Sequence, residues 1–335
     1  MKNNLTEKDI ETLNKFGLEI NDKEKIFNIK KLNISNDEIK YIPTEFFKLI
    51  NLEELFIYCR SLRKLPKEIG NLTNLKILYI DCYNLKELPK EIFNLINLKE
   101  LNIGSENLME LPKEIGNLTN LKSLICSFNL NELPKEIFNL INLEELHITS
   151  HNLTELPKEI GNLINLEKLY ICNVNLIELP KELTELPKEI GNLTNLKRLD
   201  IRTNNFTKLP KEIGNLINLK KLYIDCKSLR KLPEDIKNLI NLKRLKISCY
   251  DLELTRKIGN IINLETLYIW SDVDGLIELP KEIGNLTNLK MLDIKCNNLK
   301  ELPKEIYNLI NLKALYIMSD NLESFPDGIE RLTNL

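Results

Sequence analysis

His147 and His151 are the only histidines in the 335 residues. On a helix this HxxxH spacing would bring both imidazoles to one face, where they could grip a metal ion. On an extended strand the same four residues span ~13 Å, too far for a single ion. The seven cysteines are an odd number without the paired spacing of a zinc site, which suits a reducing compartment better than a disulfide framework. Glycines recur singly, never as GxGxxG or a phosphate-binding loop, so nothing points to a nucleotide. Carboxylates recur beside lysine in LPKE phrases, as a solvated face does. No spacing of Ser, His, Cys or carboxylate makes a catalytic constellation, and the expectation is a chain without enzymatic activity, cofactor or metal.

The elements that would position side chains come from a repeat. Prolines at 43, 66, 89, 112, 134, 157, 180, 187, 210, 233, 280, 303 and 326 lie mostly 23 residues apart, usually within a phrase like LPKEIGNLTNLK. Thirteen copies of LxxLxI open the units, from Ile29, Leu52 and Leu75 through to Leu312. Counting each unit from that first residue, positions 1, 4 and 6 alternate as a short strand with one buried face, and positions 11, 14, 18 and 21 are further apolar anchors. Proline at position 15 followed by Lys-Glu-Ile predicts the first turn of a short helix, and glycine at position 19 its exit. One rung cannot bury its own apolar residues, so stability requires stacking and covered ends. Residues 6 to 16 predict a capping helix with Thr6 at its N-cap and Ile10 and Leu13 inward. The expected organisation is a capping segment over 1–28 and a repeat domain over 29–335. Its last rung, ending ERLTNL, carries no polar cap and is a candidate for self-association.

With Leu75, Leu78, Ile80, Leu85, Leu88 and Pro89 in LKILYIDCYNLKELP, the chain resembles the leucine-rich repeat superfamily over residues 29 to 335. The 23-residue LPxxIxxLxxL unit is similar to the class found in intracellular Ras-group scaffolds and in bacterial repeat proteins. The resemblance implies an α/β solenoid: a curved horseshoe with a parallel sheet on the concave face and short helices on the convex side. It also implies a protein-binding role. The standard repeat places Asn at position 9, where its side chain forms a ladder between rungs; here position 9 holds residues such as Arg60, Tyr83, Glu106, Val174 and Lys227, with Asn at 204 and 297, so the ladder is expected to have moved or weakened. Position 8 reads as small and polar, often Cys, with a structural role. Position 19 with position 22 alternates as Phe47/Ile50, Gly70/Thr73, Phe93/Ile96, Gly116/Thr119 and Phe138/Ile141, either to fill the core or to leave an apolar back surface for assembly.

Specificity is expected on the outward face of the sheet. Position 5 is aromatic in six of thirteen units, Phe56, Tyr79, Tyr170, Tyr223, Tyr268 and Tyr316, either as a contact row or because tyrosine suits a half-exposed sheet. Position 3 is acidic early (Glu54, Glu100, Glu145) and basic later (Lys168, Arg198, Lys221, Arg244), with Arg202 and Lys246 on the same stretch. Tyr250 and Trp270 lie beside this stripe, and Arg with Tyr and Trp is the composition of interface hot spots. Tyr170, Arg198, Arg202, Lys221, Tyr223, Arg244, Lys246, Tyr250, Tyr268 and Trp270 are therefore the candidate partner-binding residues, and the expected partner is a protein or acidic peptide.

Asp200 and Asp225 interrupt the stripe, and Lys plus Arg at 47 against Asp plus Glu at 49 gives a net charge of −2, so nucleic acid is not the expected ligand. No apolar run approaches the ~20 residues of a membrane span and no secretory-signal layout opens the chain, so a cytoplasmic location is expected, with secretion by another route left open. A recognition arm of a larger enzyme and a secreted bacterial effector remain alternatives. Two irregularities stand out: paired prolines at Pro180 and Pro187, expected to bulge a loop or change curvature, and an insertion at Ser271–Gly275 beside a unit with Thr255 in place of proline, a further candidate contact.

Overall fold

The computed structural model describes residues 5–16, 22–173, 183–250, 252–271 and 276–335. The chain forms two compact units, Met1–Asn152 and Leu153–Leu335. Most of the segment around Pro180 and of the 271–275 insertion lies outside the described residues.

The first unit opens with α1 (Glu7–Lys15), capped reciprocally: the Asp9 amide donates to Thr6 Oγ1 at 3.2 Å and the Thr6 amide to Asp9 Oδ2 at 2.7 Å. Leu5 and Leu13 are buried, Ile10 is half-buried, and Asp9 also receives Lys48 Nζ at 2.8 Å. Phe16 packs edge-on against Tyr41 and Phe46. A second helix that periodicity did not predict, α2 (Lys23–Phe27), starts at Asp22, whose side chain accepts from the amides of Glu24 and Lys25. Six strands follow: β1 (Lys31–Ser35), β2 (Glu54–Tyr58), β3 (Ile77–Asp81), β4 (Glu100–Ser105), β5 (Ser123–Phe128) and β6 (Glu145–Thr149). The second unit carries β7 (Lys168–Asn173), β8 (Arg198–Thr203), β9 (Lys221–Cys226), β10 (Arg244–Ser248), β11 (Thr266–Ser271), β12 (Met291–Cys296) and β13 (Ala314–Met318). Within each unit every strand pairs parallel to its sequence neighbour in unshifted register, so each repeat position becomes a straight row across the rungs.

Most of the prolines cap a five-residue 3-10 helix, Lys67–Asn71 after Pro66 being typical, and Thr255 takes the proline's place before Arg256–Asn260. The type follows from spacing. Ile69, Leu72 and Leu75 lie three apart, each amide bonds the carbonyl three residues back (Ile69 to Pro66, Leu72 to Ile69, Leu75 to Leu72), and all three side chains are fully buried. A period of three eclipses side chains in a 3-10 helix, whereas an α-helix would rotate one of them to solvent. The glycines at position 19 are not exits. They sit inside these helices at ordinary φ, and a Cβ on Gly70 would lie 2.8 Å from the Glu91 carbonyl oxygen, on Gly259 2.2 Å from that of Glu282. Glycine is there because the next rung passes so close. The two halves of the position 19/22 alternation separate: Phe47, Phe93 and Phe138 are buried, while Ile96 and Ile141 stand 56% and 55% exposed.

The asparagine ladder has moved to the last residue of each unit, just before the strand. Asn74, Asn97, Asn120 and Asn142 donate to the carbonyls of Ile50, Thr73, Ile96 and Thr119, and Asn218, Asn241, Asn263 and Asn288 to those of Thr194, Ile217, Ile240 and Ile262, all at 2.7–2.9 Å. A second, shorter ladder runs at position 10, through Asn84, Asn107 and Asn321, and in the one-residue-short unit through Asn129 at position 9. At position 8 the side chain turns in to satisfy a neighbouring carbonyl, as Ser105 does with Leu85 and Ser150 with Leu130. Cysteine fills the same place, Cys59 and Cys82 reaching the carbonyls of Ile34 and Ile57 at 3.7 and 3.8 Å. Burial pushes the thiols of Cys82, Cys126 and Cys249 up to about 12, so they stay protonated and unreactive at neutral pH.

Position 8 is not small and polar throughout: Asn173 occupies it in β7, and the buried Phe128 in β5. The Phe128 unit is one residue short, and its turn is correspondingly tighter. Leu130 bonds back two residues to Phe128, where Leu62 and Leu85 bond back three, to Cys59 and Cys82.

Candidate partner-binding surface

All ten residues singled out above fall within the second unit, on or just beyond β7–β11. The register aligns Lys168, Arg198, Lys221 and Arg244 in one row, and Tyr170, Asp200, Tyr223, Lys246 and Tyr268 in the row beside it. A third row holds Arg202, Asp225, Ser248 and Trp270. Alternation sends these three rows outward while the leucines and isoleucines between them are buried.

Arg198 is at the centre of an intramolecular cluster. Its Nε and Nη2 donate to Asp200 Oδ1 and Oδ2 at 3.1 and 2.8 Å, and its guanidinium lies 5.0 Å from the ring centroids of both Tyr170 and Tyr223. Two aromatic faces and a bidentate carboxylate thus hold one planar cation, a combination that guanidinium chemistry suits and an ammonium would not. Lys246 Nζ sits 3.9 Å over Trp270, Lys227 Nζ 5.4 Å over Tyr250, and the Tyr268 hydroxyl meets Met291 Sδ at 3.1 Å. Tyr250 lies past the end of β10, exposed and apart from the three rows.

The stripe is therefore uneven. Arg198 and Lys246 are engaged by the chain itself, whereas Arg202, Lys221 and Arg244 form no ion pair among the described residues. Sequence reasoning treated Asp200 only as an interruption; the available signal was its place two residues after Arg198 on the same face. In the first unit Phe56 stacks on Tyr79 at 5.3 Å with Lys31 over Phe56, and Lys31 pairs with Glu54, so these four side chains engage one another. His147 stands on β6 with Thr149 Oγ1 3.3 Å from its Nε2, and His151 lies beyond the end of the strand. No helix among the described residues is long and apolar enough to cross a membrane.

A solenoid of parallel rungs, one short strand and one 3-10 turn each, with a side-chain-rich sheet face, defines a repeat protein built for surface contact. The profile described as "Leucine-rich repeat region" matches residues 9–124, 89–183, 176–275 and 255–335, and the chain belongs to that family. A leucine-rich repeat protein of Leptospira interrogans is similar at 31% identity over 93% of this chain and 90% of that one, with a TM-score of 0.66. An internalin of Listeria monocytogenes shares the fold at 22% identity over 93% and 86%, with a TM-score of 0.71. The Toll–Spatzle complex of Drosophila shares it at 21% identity over 86% of this chain and 42% of that one, with a TM-score of 0.67. No curated protein matches the sequence.

Proposed function

We propose that this chain is a binding scaffold without chemistry of its own, and that it holds an acidic segment of a partner protein on the outward face of β7–β11. Membership of the leucine-rich repeat family, whose domains are generally protein-binding scaffolds, supports the first half. The observation that carries the second is the register-aligned cation row, in which Arg198 is paired with Asp200 while Lys221 and Arg244 stand side by side with no ion pair among the described residues. Like charges on paired strands repel. A partner's carboxylates would relieve that repulsion and gain from it, while the exposed parts of Tyr223, Tyr268 and Trp270 supply contact area at low entropic cost.

The test is affinity capture from a native lysate with the wild-type chain and a Lys221→Ala/Arg244→Ala/Trp270→Ala variant, which spares the Arg198–Asp200 pair and so the fold. The expected outcome is a protein retained by the wild type, released by raised salt and absent from the variant's capture. Identical captures would remove the strand face from consideration.

A further inference from the structure

Where the chain turns into the strands of the second unit, a different pair of rows runs along the flank of the sheet. Lys197, Lys220 and Lys243 stand immediately before β8, β9 and β10, one per rung. Ile217, Ile240 and Ile262 stand three residues before Lys220, Lys243 and Glu265, and are 48%, 60% and 56% exposed. The two rows run side by side, and at Ile240, Lys243, Glu265 and Lys290 they border a shallow groove of about 250 Å³. The ladder asparagines between them bond the carbonyls of Thr194, Ile217 and Ile240, which holds the groove's floor in place. Glu167 pairs with Lys197, and Glu265 receives Lys243 and Lys290 at 2.9 and 2.8 Å, bonds that hold its carboxyl down at about 2. Lys220, between the two paired lysines, forms no ion pair among the described residues.

We propose that this flank is a second docking surface, and that its occupant is an amphipathic α-helix of a partner protein, laid across the rungs with apolar residues on the isoleucine row and glutamates or aspartates along the lysine row. Spacing selects a helix. Rungs recur every ~4.8 Å, so the three isoleucines span ~10 Å. A helix presents one face at i, i+3 or i+4 and i+7, steps of ~5–6 Å that total ~10.5 Å and stay in phase over all three rungs. An extended chain presents one face every ~6.8 Å and is out of step after the first. Charge selects its acidity, because the flank's cations outnumber its carboxylates at Lys220 and exposed ion pairs yield easily to an added carboxylate. This surface is separate from the strand face: Lys220 lies on the flank row, Lys221 and Arg244 on the outward row.

The test is fluorescence anisotropy with a labelled peptide of about 18 residues, long enough to form helix, bearing leucine at i, i+3, i+4 and i+7 and glutamate beside them. Two further probes are the same peptide with lysine for glutamate and one with a central proline. On the wild-type chain the acidic helix is expected to bind, and the lysine and proline peptides to bind at least about tenfold more weakly. Ile217→Ser/Ile240→Ser/Ile262→Ser, three exposed positions, should lose about tenfold in affinity with an unchanged melting profile. Lys220→Glu should lose affinity and flatten the salt dependence, and Arg244→Ala should bind as wild type, which separates this result from any failure of the strand-face reading. No binding to the wild-type chain, equal binding of the proline peptide, or no effect of the triple variant overturns the proposal. So does a wild-type dimer abolished by the triple variant, which would give the groove to a second copy.

Discussion

At the scale of single residues the chain spends its most interactive side chain on itself. Arg198 could be read as a free hot spot until its partners are placed: Asp200 is 8% exposed and both its carboxylate oxygens accept from that guanidinium. Arg198→Ala is therefore expected to destabilise the fold by about 1–3 kcal/mol, because it leaves a buried carboxylate unpaired. Lys221→Ala, one strand over and with no ion pair among the described residues, should be near neutral. Urea unfolding of the two variants side by side checks the difference, and equal stabilities would mean that Asp200 is rescued by solvent. The rows were legible in the sequence, since spacing alone places every position 3 and position 5. Which cations stay free was not, because that depends on a side chain folding back on its own strand.

At the scale of the element, a short helical turn after the proline and the strand alternation were plain in the sequence, whereas the 3-10 type, set by proline, isoleucine and two leucines at spacing three, shows only in the hydrogen bonds. The role of glycine was not plain, because a turn and a close approach ask for the same residue. The structure separates them. Gly→Ala inside a helix ordinarily gains up to ~1 kcal/mol. Here Gly259→Ala should instead cost about 1–3 kcal/mol, since its Cβ would meet the Glu282 carbonyl oxygen at 2.2 Å. Gly116→Ala, whose nearest contacts are at 3.0 Å, should cost less. Unfolding midpoints in the reverse order would show that the rungs can spread. The asparagine ladder was half legible: its thinning at position 9 could be seen, whereas its new place shows only once the carbonyls it meets are known.

At the scale of the whole molecule, stability is shared between neighbours rather than held in one centre. Leu292 and Ile294 of β12 are fully buried, but Leu315 and Ile317 of β13, at the same positions, are half-exposed. Amides of β13 should exchange with deuterium well before those of β10, and a uniform rate along the second unit would contradict nearest-neighbour stacking. The ladder carries a further consequence for how such a chain can change over generations. Each rung brings one asparagine amide to give to the rung before it and one carbonyl to offer to the rung after it. A gene that gains or loses one repeat's worth of coding sequence therefore leaves every remaining donor with an acceptor, and the array can lengthen or shorten by recombination without a compensating substitution.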